Sequence, residues 1–159
     1  MSLFNLSDKV YAVTGASGAL AGKAAQYLAE NGAKVSFISR SQSKLDLAVK
    51  DLGPEAATFT CDVTDRKALK TSFDLILQRF GHIDGLINGA GGNMPGATIG
   101  PDMSVFDLDF NDYEKVLQLN LSGTLLPSLV FGEYFAERKQ GTIVNFSSAS
   151  SQQALTRVL

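Results

Sequence analysis

The sequence has little cysteine, little charge bias and no long apolar run, and each shortage excludes a class of protein. The single cysteine, Cys61, excludes an intramolecular disulfide and fits a reducing compartment, so we expect a cytoplasmic protein. The net charge is −2, and no basic stripe that would bind nucleic acid is present. No apolar run approaches the roughly 20 residues of a membrane span. The first residues also lack the charged and apolar regions of a signal peptide.

What the sequence does contain is an alternation of short apolar runs with helical patterns. Strands are predicted at residues 9–13, 34–38, 57–61, 83–87 and 142–146, and helices at about 18–31, 45–52, 65–80 and 109–139. The strands are almost continuously apolar, which is typical of strands buried on both faces. We therefore predict an α/β fold with a doubly wound parallel sheet, in a single domain over residues 1–159.

The helix boundaries carry capping signals. Asn31-Gly32 is typical of a helix C-terminus, and either Thr64 or Asp65 is expected to cap the third helix. Asp109 is expected to cap the fourth helix, with Asp112 at its third position. A glycine-rich loop at about 88–108 precedes that helix, and loops of this length inside a compact domain are usually functional or disordered.

Glycines are concentrated between the first strand and the first helix, in the segment Thr14–Gly22. A turn of this kind directs backbone N–H groups and a helix N-terminus at a pyrophosphate. Glycine is needed where the turn is tight and where the backbone approaches the ligand. A glycine-rich turn that merely connects strand and helix is the alternative.

The spacing of this turn resembles the Thr-Gly-x-x-x-Gly-x-Gly motif of the short-chain dehydrogenases/reductases, with Thr14–Gly15 matching. Ala19 and Ala21 replace the second and third glycines of that motif, although Gly18 and Gly22 lie beside them. We expect the methyl group of Ala19 to crowd a bound pyrophosphate unless the turn shifts.

Four further motifs follow in the family's order, and they extend the resemblance over essentially the whole chain. Asp62-Val63 is similar to the family's adenine-contacting pair, and Asn88–Gly91 to its Asn-Asn-Ala-Gly turn. Asn120–Gly123 is similar to the catalytic asparagine segment, and Ser147-Ser148 follows the fifth strand. Two alternatives remain open: the Asp62 carboxylate could simply cap a helix, and Asn88–Gly91 could be only a turn of small residues.

The resemblance implies a dinucleotide site and assigns residues to it. The expected cofactor-binding residues are Gly15, Ser17, Gly18, Ala19, Leu20, Ser39, Arg40, Asp62, Val63, Asn88, Gly89, Ala90 and Gly91. An arginine after the second strand can pair with the 2′-phosphate of NADP, whereas NAD is usually bound there by an acidic side chain. Position 39 is serine, so NADP is favoured, with NAD possible and Arg40 as a solvated loop residue the alternative.

Asn120 and Ser148 are the predicted catalytic residues. In the family, a kink at the asparagine frees a backbone carbonyl for a water of the proton relay, and the serine hydroxyl binds the substrate oxygen. An asparagine inside a helix also kinks it for structural reasons, and Pro127 does the same. His82, the only histidine, is expected to be a surface turn residue, Cys61 a buried small hydrophobe, and no metal site is predicted.

The family's proton donor, a tyrosine followed four residues later by a lysine, has no counterpart in residues 1–159. The positions four residues after the four tyrosines hold Gly15, Asn31, Leu117 and Arg138. The family's tyrosine follows the serine closely. We therefore expect the sequence to be a truncated part of a longer chain, able to bind cofactor but inactive alone.

The resemblance implies hydride transfer between a nicotinamide cofactor and a small-molecule carbonyl or secondary alcohol. A non-catalytic dinucleotide-binding sensor or scaffold is the alternative. The segments Ile87–Asn93 and Asn120–Pro127 resemble the branch that includes fructuronate (D-mannonate) oxidoreductases, which implies a sugar acid or polyol substrate. The family also implies a homodimer or homotetramer for the full-length protein, without nucleic-acid or membrane partners.

Overall fold

The computed structural model describes residues 5–152, which form five parallel strands with helices on both faces. The strands are β1 (Val10–Thr14), β2 (Lys34–Ser39), β3 (Ala56–Thr60), β4 (Gly85–Asn88) and β5 (Thr142–Asn145). Their order in the sheet is β3-β2-β1-β4-β5. The prediction of a doubly wound parallel sheet is confirmed. The strand order reverses between β1 and β4, and such a switch point forms a crevice at the carboxyl ends of the strands.

Five α-helices connect and follow these strands. They are α1 (Ala19–Glu30), α2 (Gln42–Val49), α3 (Arg66–Phe80), α4 (Phe110–Leu117) and α5 (Gly123–Arg138). The predicted start of α2 was wrong, because the predicted helix began at the first apolar residue, Leu45. The helix starts three residues earlier, where the Ser41 hydroxyl accepts a hydrogen bond from the backbone N–H of Lys44.

The other caps agree with the sequence and settle one alternative. Asp65 caps α3 by accepting from the backbone N–H groups of Lys67 and Ala68, at 2.8 and 3.1 Å. Asp109 caps α4, with Asp112 at its third position. The cap of α3 is therefore Asp65 rather than Thr64 or Asp62.

The predicted fourth helix is interrupted. A π-helical turn, Gln118–Ser122, separates α4 from α5. The Asn120 side chain donates to the Val116 carbonyl at 2.9 Å, and the Thr124 hydroxyl donates to the Asn120 carbonyl at 3.0 Å. Because side-chain hydrogen bonds and the wide turn satisfy these groups, a polar residue is accommodated between the two helices.

The two faces of the sheet are packed differently. On one face, α3 and α5 contribute aromatic rings, and Phe73 meets Phe131 edge to face with centroids 5.2 Å apart. On the other face, α1 contributes Ala21 and Ala25 beneath Phe37. Small side chains bring α1 close to the sheet, so the N-terminus of α1 lies near the strand ends.

Among residues 5–152, none of the helices combines the length and apolarity that crossing a bilayer requires. No group of three or more potential metal ligands lies together in this part of the chain.

Candidate functional site

Polar side chains from three adjacent strands line up at the carboxyl edge of the sheet. Thr14 pairs in register with Asn88, and Asn88 pairs with Asn145. Asn88 is 1% exposed, and its amide nitrogen donates to Asn145 Oδ1 at 2.8 Å and to Ser128 Oγ at 2.9 Å. Asn88 therefore joins β4, β5 and α5, and its side chain supports the turn after β4 rather than lining a cleft.

The hydroxyl group of Thr14 organises the turn that follows β4. It accepts from the backbone N–H groups of Gly89 and Ala90, at 3.2 and 3.3 Å. It also donates to the Ile87 carbonyl at 3.5 Å. The Thr14 hydroxyl thus joins the carboxyl ends of β1 and β4 at the switch point.

The turn after β1 requires glycine at its first position. Gly15 has φ +67°, and a Cβ there would lie 2.5 Å from the Gly89 carbonyl oxygen. The N–H of Gly18 donates to the Gly15 carbonyl at 2.8 Å, and Gly18 caps α1 without a side-chain hydrogen bond. The first turn of α1 therefore lies beside the turn after β4, with backbone and no bulky side chain between them.

Two clefts open at this edge and share the glycine turns. The β2-side cleft, about 220 Å³, is lined by Gly15, Ser17, Gly18, Ser39, Arg40, Ser41, Lys44, Cys61, Val63, Gly89, Ala90, Gly91 and Leu119. The β4-side cleft, about 750 Å³, is lined by Gly15, Gly18–Ala21, Gly89–Asn93, Val116, Leu117, Asn120, Leu121, Thr124 and Phe146–Ser148. The structure thus brings together eleven of the thirteen predicted cofactor-binding residues, and Asn88 and Asp62 are not among the lining residues.

Asp62 is held in a local turn. Its Oδ1 accepts from the backbone N–H of Thr64 at 2.9 Å and from the Thr64 hydroxyl at 2.7 Å. The bond from the Thr64 N–H holds the pKa of the Asp62 carboxyl below its usual value, burial opposes this shift, and the Thr64 hydroxyl and the charge of Arg40 reinforce it. Within residues 5–152, Oδ2 accepts no hydrogen bond. Asp62 therefore keeps an acceptor beside the β2-side cleft.

The end of β2 carries no carboxylate. Ser39 is 8% exposed, and its hydroxyl accepts from the Ser41 N–H at 3.3 Å. The side chain of Arg40 is exposed and lines the β2-side cleft. Lys44, one turn into α2, lines the same cleft. Sequence analysis missed Lys44, because only its spacing of four residues from Arg40 could have indicated it.

Cys61 lies at the floor of the β2-side cleft as a small buried group. It is 3% exposed, and its thiol donates to the Asp62 carbonyl at 3.4 Å. Burial raises the pKa of this thiol, and a hydrogen bond with Ser72 opposes the shift. The protonated thiol supports the expectation of a small hydrophobe.

Asn120 connects the π-helical turn to the turn after β4. Its Oδ1 accepts from the Gly92 N–H at 3.1 Å, and its Nδ2 donates to the Gly92 carbonyl at 2.7 Å. A Cβ at Gly91 would lie 2.7 Å from Asn120 Oδ1, so this contact also requires a glycine. Asn120 thus holds the wall of the β4-side cleft in place.

Ser148, the second predicted catalytic residue, lies on the same cleft but on a different element. It follows β5, and its carbonyl accepts from the N–H and the hydroxyl of Ser151, at 3.0 and 2.7 Å. Phe146 joins this segment to the neighbouring strand through an N–H bond of 2.9 Å to the Asn88 carbonyl. Asn120 and Ser148 therefore line one cleft from two sides.

His82 lies away from both clefts. It occupies the turn between α3 and β4, and its Nε2 lies 3.1 Å from Asp84 Oδ2 and 3.1 Å from the Asp8 carbonyl oxygen. Asp84 also accepts from the Val10 N–H at the start of β1. This group belongs to the amino edge of the sheet, so the structure places His82 in a turn, as expected.

The loop that follows β4 is anchored to α4. Two short 3₁₀ turns, Pro95–Ala97 and Val105–Asp107, divide it. The Gly96 N–H donates to Asp112 Oδ2 at 3.0 Å, and Lys115 donates to Oδ1 of the same carboxylate at 2.8 Å. Asp112 therefore serves both its helix and the loop, and it holds the loop beside the β4-side cleft.

Comparison with known proteins agrees with this geometry. The sequence model of the short chain dehydrogenase family matches residues 9–158. The chain is 36% identical to the uncharacterized oxidoreductase UxuB of Bacillus subtilis (strain 168), over 97% of this chain and 59% of that protein. It therefore spans well under two thirds of that relative's length.

Two solved structures share the fold. A proposed D-mannonate oxidoreductase of Haemophilus influenza with bound NAD superposes with a TM-score of 0.89 at 32% identity, covering 97% of this chain and 60% of that one. An NAD+-bound xylitol dehydrogenase superposes with a TM-score of 0.88 at 29% identity, covering 98% and 58%. Together with the family match, these similarities show that the chain belongs to the short-chain dehydrogenase family.

Proposed function

We propose that this chain is the dinucleotide-binding domain of an oxidoreductase that transfers a hydride between a nicotinamide cofactor and a carbonyl or secondary alcohol. The observation that carries the proposal is the shared lining of the two clefts by Gly15, Gly18 and Gly89–Gly91. A molecule with two nucleotide halves can occupy both clefts across such a lining. The cofactors in the two solved structures support a nicotinamide dinucleotide.

The residues of the β4-side cleft have separate parts in this proposal. When bound, the cofactor supplies the hydride donor or acceptor. The Ser148 hydroxyl would bind the substrate oxygen, and Asn120 would keep the turn after β4 fixed against the π-helical turn. Proton transfer needs a positioned acid or base. None of the four tyrosines in residues 1–159 is followed four residues later by lysine.

A polypeptide of these 159 residues should therefore bind cofactor without turnover. The test is a titration with NADPH and NADH, followed by an assay with carbonyl substrates. The nicotinamide fluorescence is easily followed, because the sequence contains no tryptophan. Binding without turnover supports the proposal, and turnover by this polypeptide would overturn its account of the proton donor. Absence of any dinucleotide binding would overturn the function itself.

We favour NADP over NAD as the cofactor. Arg40 supplies a cation at the end of β2, and Ser39 stands where an acidic residue would bind the ribose of NAD. Both solved relatives are described with NAD, so the preference rests on these two positions. Tighter binding of NADH than of NADPH would contradict it.

A sugar acid or polyol is the proposed substrate class. The names of the two solved relatives, a proposed D-mannonate oxidoreductase and a xylitol dehydrogenase, support it. A protein that contains this chain together with a Tyr-x-x-x-Lys segment should oxidise or reduce members of a panel of sugar acids and pentitols. Turnover of steroids or simple ketones instead would contradict the substrate class.

A non-catalytic dinucleotide-binding sensor or scaffold is the second candidate. It predicts dinucleotide binding and no turnover in every natural protein that contains this chain.

We also propose a homodimer or homotetramer for the enzyme, in the cytoplasm. Four leucines spaced by four residues, Leu117, Leu121, Leu125 and Leu129, are 44–64% exposed and provide an apolar surface. Sedimentation of the protein as a monomer would contradict the oligomer.

A further inference from the structure

We infer that Ser128 is a positioning residue, which links the π-helical turn at Asn120 to the segment after β5 that carries Ser148. Ser128 lies on α5 and is not among the residues that line the β4-side cleft. The inference rests on the proposed function, in which this cleft holds the nicotinamide half of the cofactor and the substrate. It adds to that function a residue that acts from outside the cleft.

Two hydroxyl groups on α5 extend the connection from the π-helical turn. The Thr124 hydroxyl donates to the Asn120 carbonyl at 3.0 Å, and the Ser128 hydroxyl donates to the Thr124 carbonyl at 2.7 Å. Each bond spans four residues, which is about one turn of a helix. Asn120 and Ser128 are therefore connected through a single intermediate residue.

The Ser128 oxygen also accepts a hydrogen bond from the sheet. Asn88 Nδ2 donates to it at 2.9 Å, and the same nitrogen donates to Asn145 Oδ1 at 2.8 Å. A carboxamide nitrogen has two hydrogens, so one is directed at α5 and the other at β5. The hydroxyl of Ser128 has one hydrogen, which goes to Thr124, so its oxygen is left to accept from Asn88. Every group in the connection thus has one defined direction.

The backbone of Asn88 continues the connection toward Ser148. Its carbonyl accepts from the N–H of Phe146 at 2.9 Å, two residues before Ser148. Phe146 and Ser148 line the same cleft as Asn120 and Thr124. The connection therefore begins and ends at the β4-side cleft, and its middle passes through a buried amide.

The burial pattern explains why a polar connection is needed at this place. All four residues of β5 are exposed, so packing does little to fix the end of that strand. Asn88 is 1% exposed, and within residues 5–152 its Oδ1 accepts no hydrogen bond. An apolar side chain of similar size would avoid burying that oxygen, but it could not donate to both α5 and β5. The two donated hydrogen bonds are therefore what the amide contributes at this position.

The first experiment measures amide hydrogen exchange in the complete 159-residue chain. In Ser128→Ala the N–H of Phe146 should exchange about fivefold to tenfold faster, because one hydrogen bond of the connection is lost on each side of Ser128. The N–H of Thr142, which donates to the Asp84 carbonyl at the other end of β5, should change less than about twofold. Ser128→Thr keeps the hydroxyl and should restore the original rate. Thr71→Val is the matched control, because it removes a hydroxyl that also donates to the carbonyl four residues earlier, on an exposed part of α3.

The second experiment tests whether the connection positions the cleft for nicotinamide. The probes are NADH and ADP-ribose, which lacks the nicotinamide, or NADPH and 2′-phospho-ADP-ribose if the chain prefers NADPH. The unmodified chain should bind the dinucleotide more tightly than the fragment. Ser128→Ala should reduce that preference by about fivefold and change the affinity for the fragment less than about twofold, whereas Ser128→Thr and Thr71→Val should retain the preference. Isothermal titration measures all of these affinities.

A merely structural role for Ser128 predicts different results. Equal acceleration of exchange at Phe146 and Thr142 in Ser128→Ala, or an unchanged preference for the dinucleotide, would overturn the inference, as would the same changes in Thr71→Val. Equal affinity of the unmodified chain for both probes would also overturn it, because the cleft would then hold no nicotinamide for Ser128 to position. Failure to bind either probe would instead count against the proposed dinucleotide function, and hydrogen exchange would still decide whether the connection exists.

Discussion

Val13 and Val144 lie on opposite sides of Ile87 in the same sheet, yet their surroundings differ. Val13 pairs with Ile87 from β1 and is 0% exposed, whereas Val144 pairs with it from β5 and is 46% exposed. All four residues of β5 are exposed, and four of the five residues of β1 are buried. β1 and β2 are thus mostly buried, β3 is half-buried, and β5 contributes little core.

The same difference distinguishes the surroundings of the two clefts in residues 5–152. The β2-side cleft lies at the ends of β1 and β2, which are mostly buried, and of β3, which is half-buried. The β4-side cleft is lined by two exposed residues, Asn120, which bonds to the backbone of Gly92, and Ser148, which follows β5. We therefore expect substitutions in β1 to cost this 159-residue chain more stability than substitutions in β5. Each prediction below tests that contrast.

The largest effect is expected at Gly15, in the packed half. Gly15→Ala places a methyl group 2.5 Å from the Gly89 carbonyl oxygen in a left-handed backbone, so the free energy of unfolding should fall by about 2–4 kcal/mol. Urea unfolding followed by circular dichroism measures it. Gly53→Ala is the matched control, because no atom lies within 4 Å of the added Cβ. A similar loss in both variants would remove the special role of this turn.

A smaller effect is expected where α1 meets the turn after β4. A Cβ at Gly89 would collide with the Cβ of Ala21. Gly89→Ala should therefore cost about 1–3 kcal/mol of unfolding free energy. The space between Ala21 and Gly89 therefore holds only one methyl group, which Ala21 supplies.

The control is the double variant Ala21→Gly/Gly89→Ala, which moves the methyl group from one position to the other. Ala21→Gly alone should cost about 1 kcal/mol through helix propensity. Combined with Gly89→Ala it should cost less than the sum, by about 1 kcal/mol or more in a double-mutant cycle. Additive losses would show that the two positions do not compete for the same space.

The contact between Ala21 and Gly89 shows why part of the site could not be predicted from the sequence. The alternation of strands and helices and the Asp65 and Asp109 caps follow from local patterns, which act within a few residues, whereas the predicted cofactor-binding residues came from the resemblance to the family. The contact between Ala21 and Gly89 was not predicted, because it joins positions 68 residues apart (89 minus 21). The π-helical turn also depends on distant groups, since Asn120 bonds to Gly92.

The two valines beside Ile87 give the most direct test. Val13→Thr places a hydroxyl in the core and should lower the unfolding free energy by about 1–3 kcal/mol, whereas Val144→Thr should change it by less than about 0.5 kcal/mol. The two substitutions are identical in chemistry and occupy paired positions, so each serves as the other's control. Equal losses would show that β5 is as well buried in solution as β1, and the contrast drawn here would fail.

The smallest effect is expected at Asp62, as a dependence on pH. Its pKa is lowered in the folded protein, chiefly by the N–H of Thr64, so its stabilising contribution is present above the unfolded value of about 3.9 and is lost as pH falls through the folded value. Asp62→Asn should therefore differ from the unmodified chain at pH 6 and converge with it toward pH 3. Unfolding free energies across that range provide the measurement. Asp51→Asn, at an exposed position, controls for the removal of one carboxylate. If Asp62→Asn instead changes the free energy of unfolding by the same amount at every pH, the Thr64 hydrogen bond, and not the charge of the carboxylate, holds this turn beside the cleft.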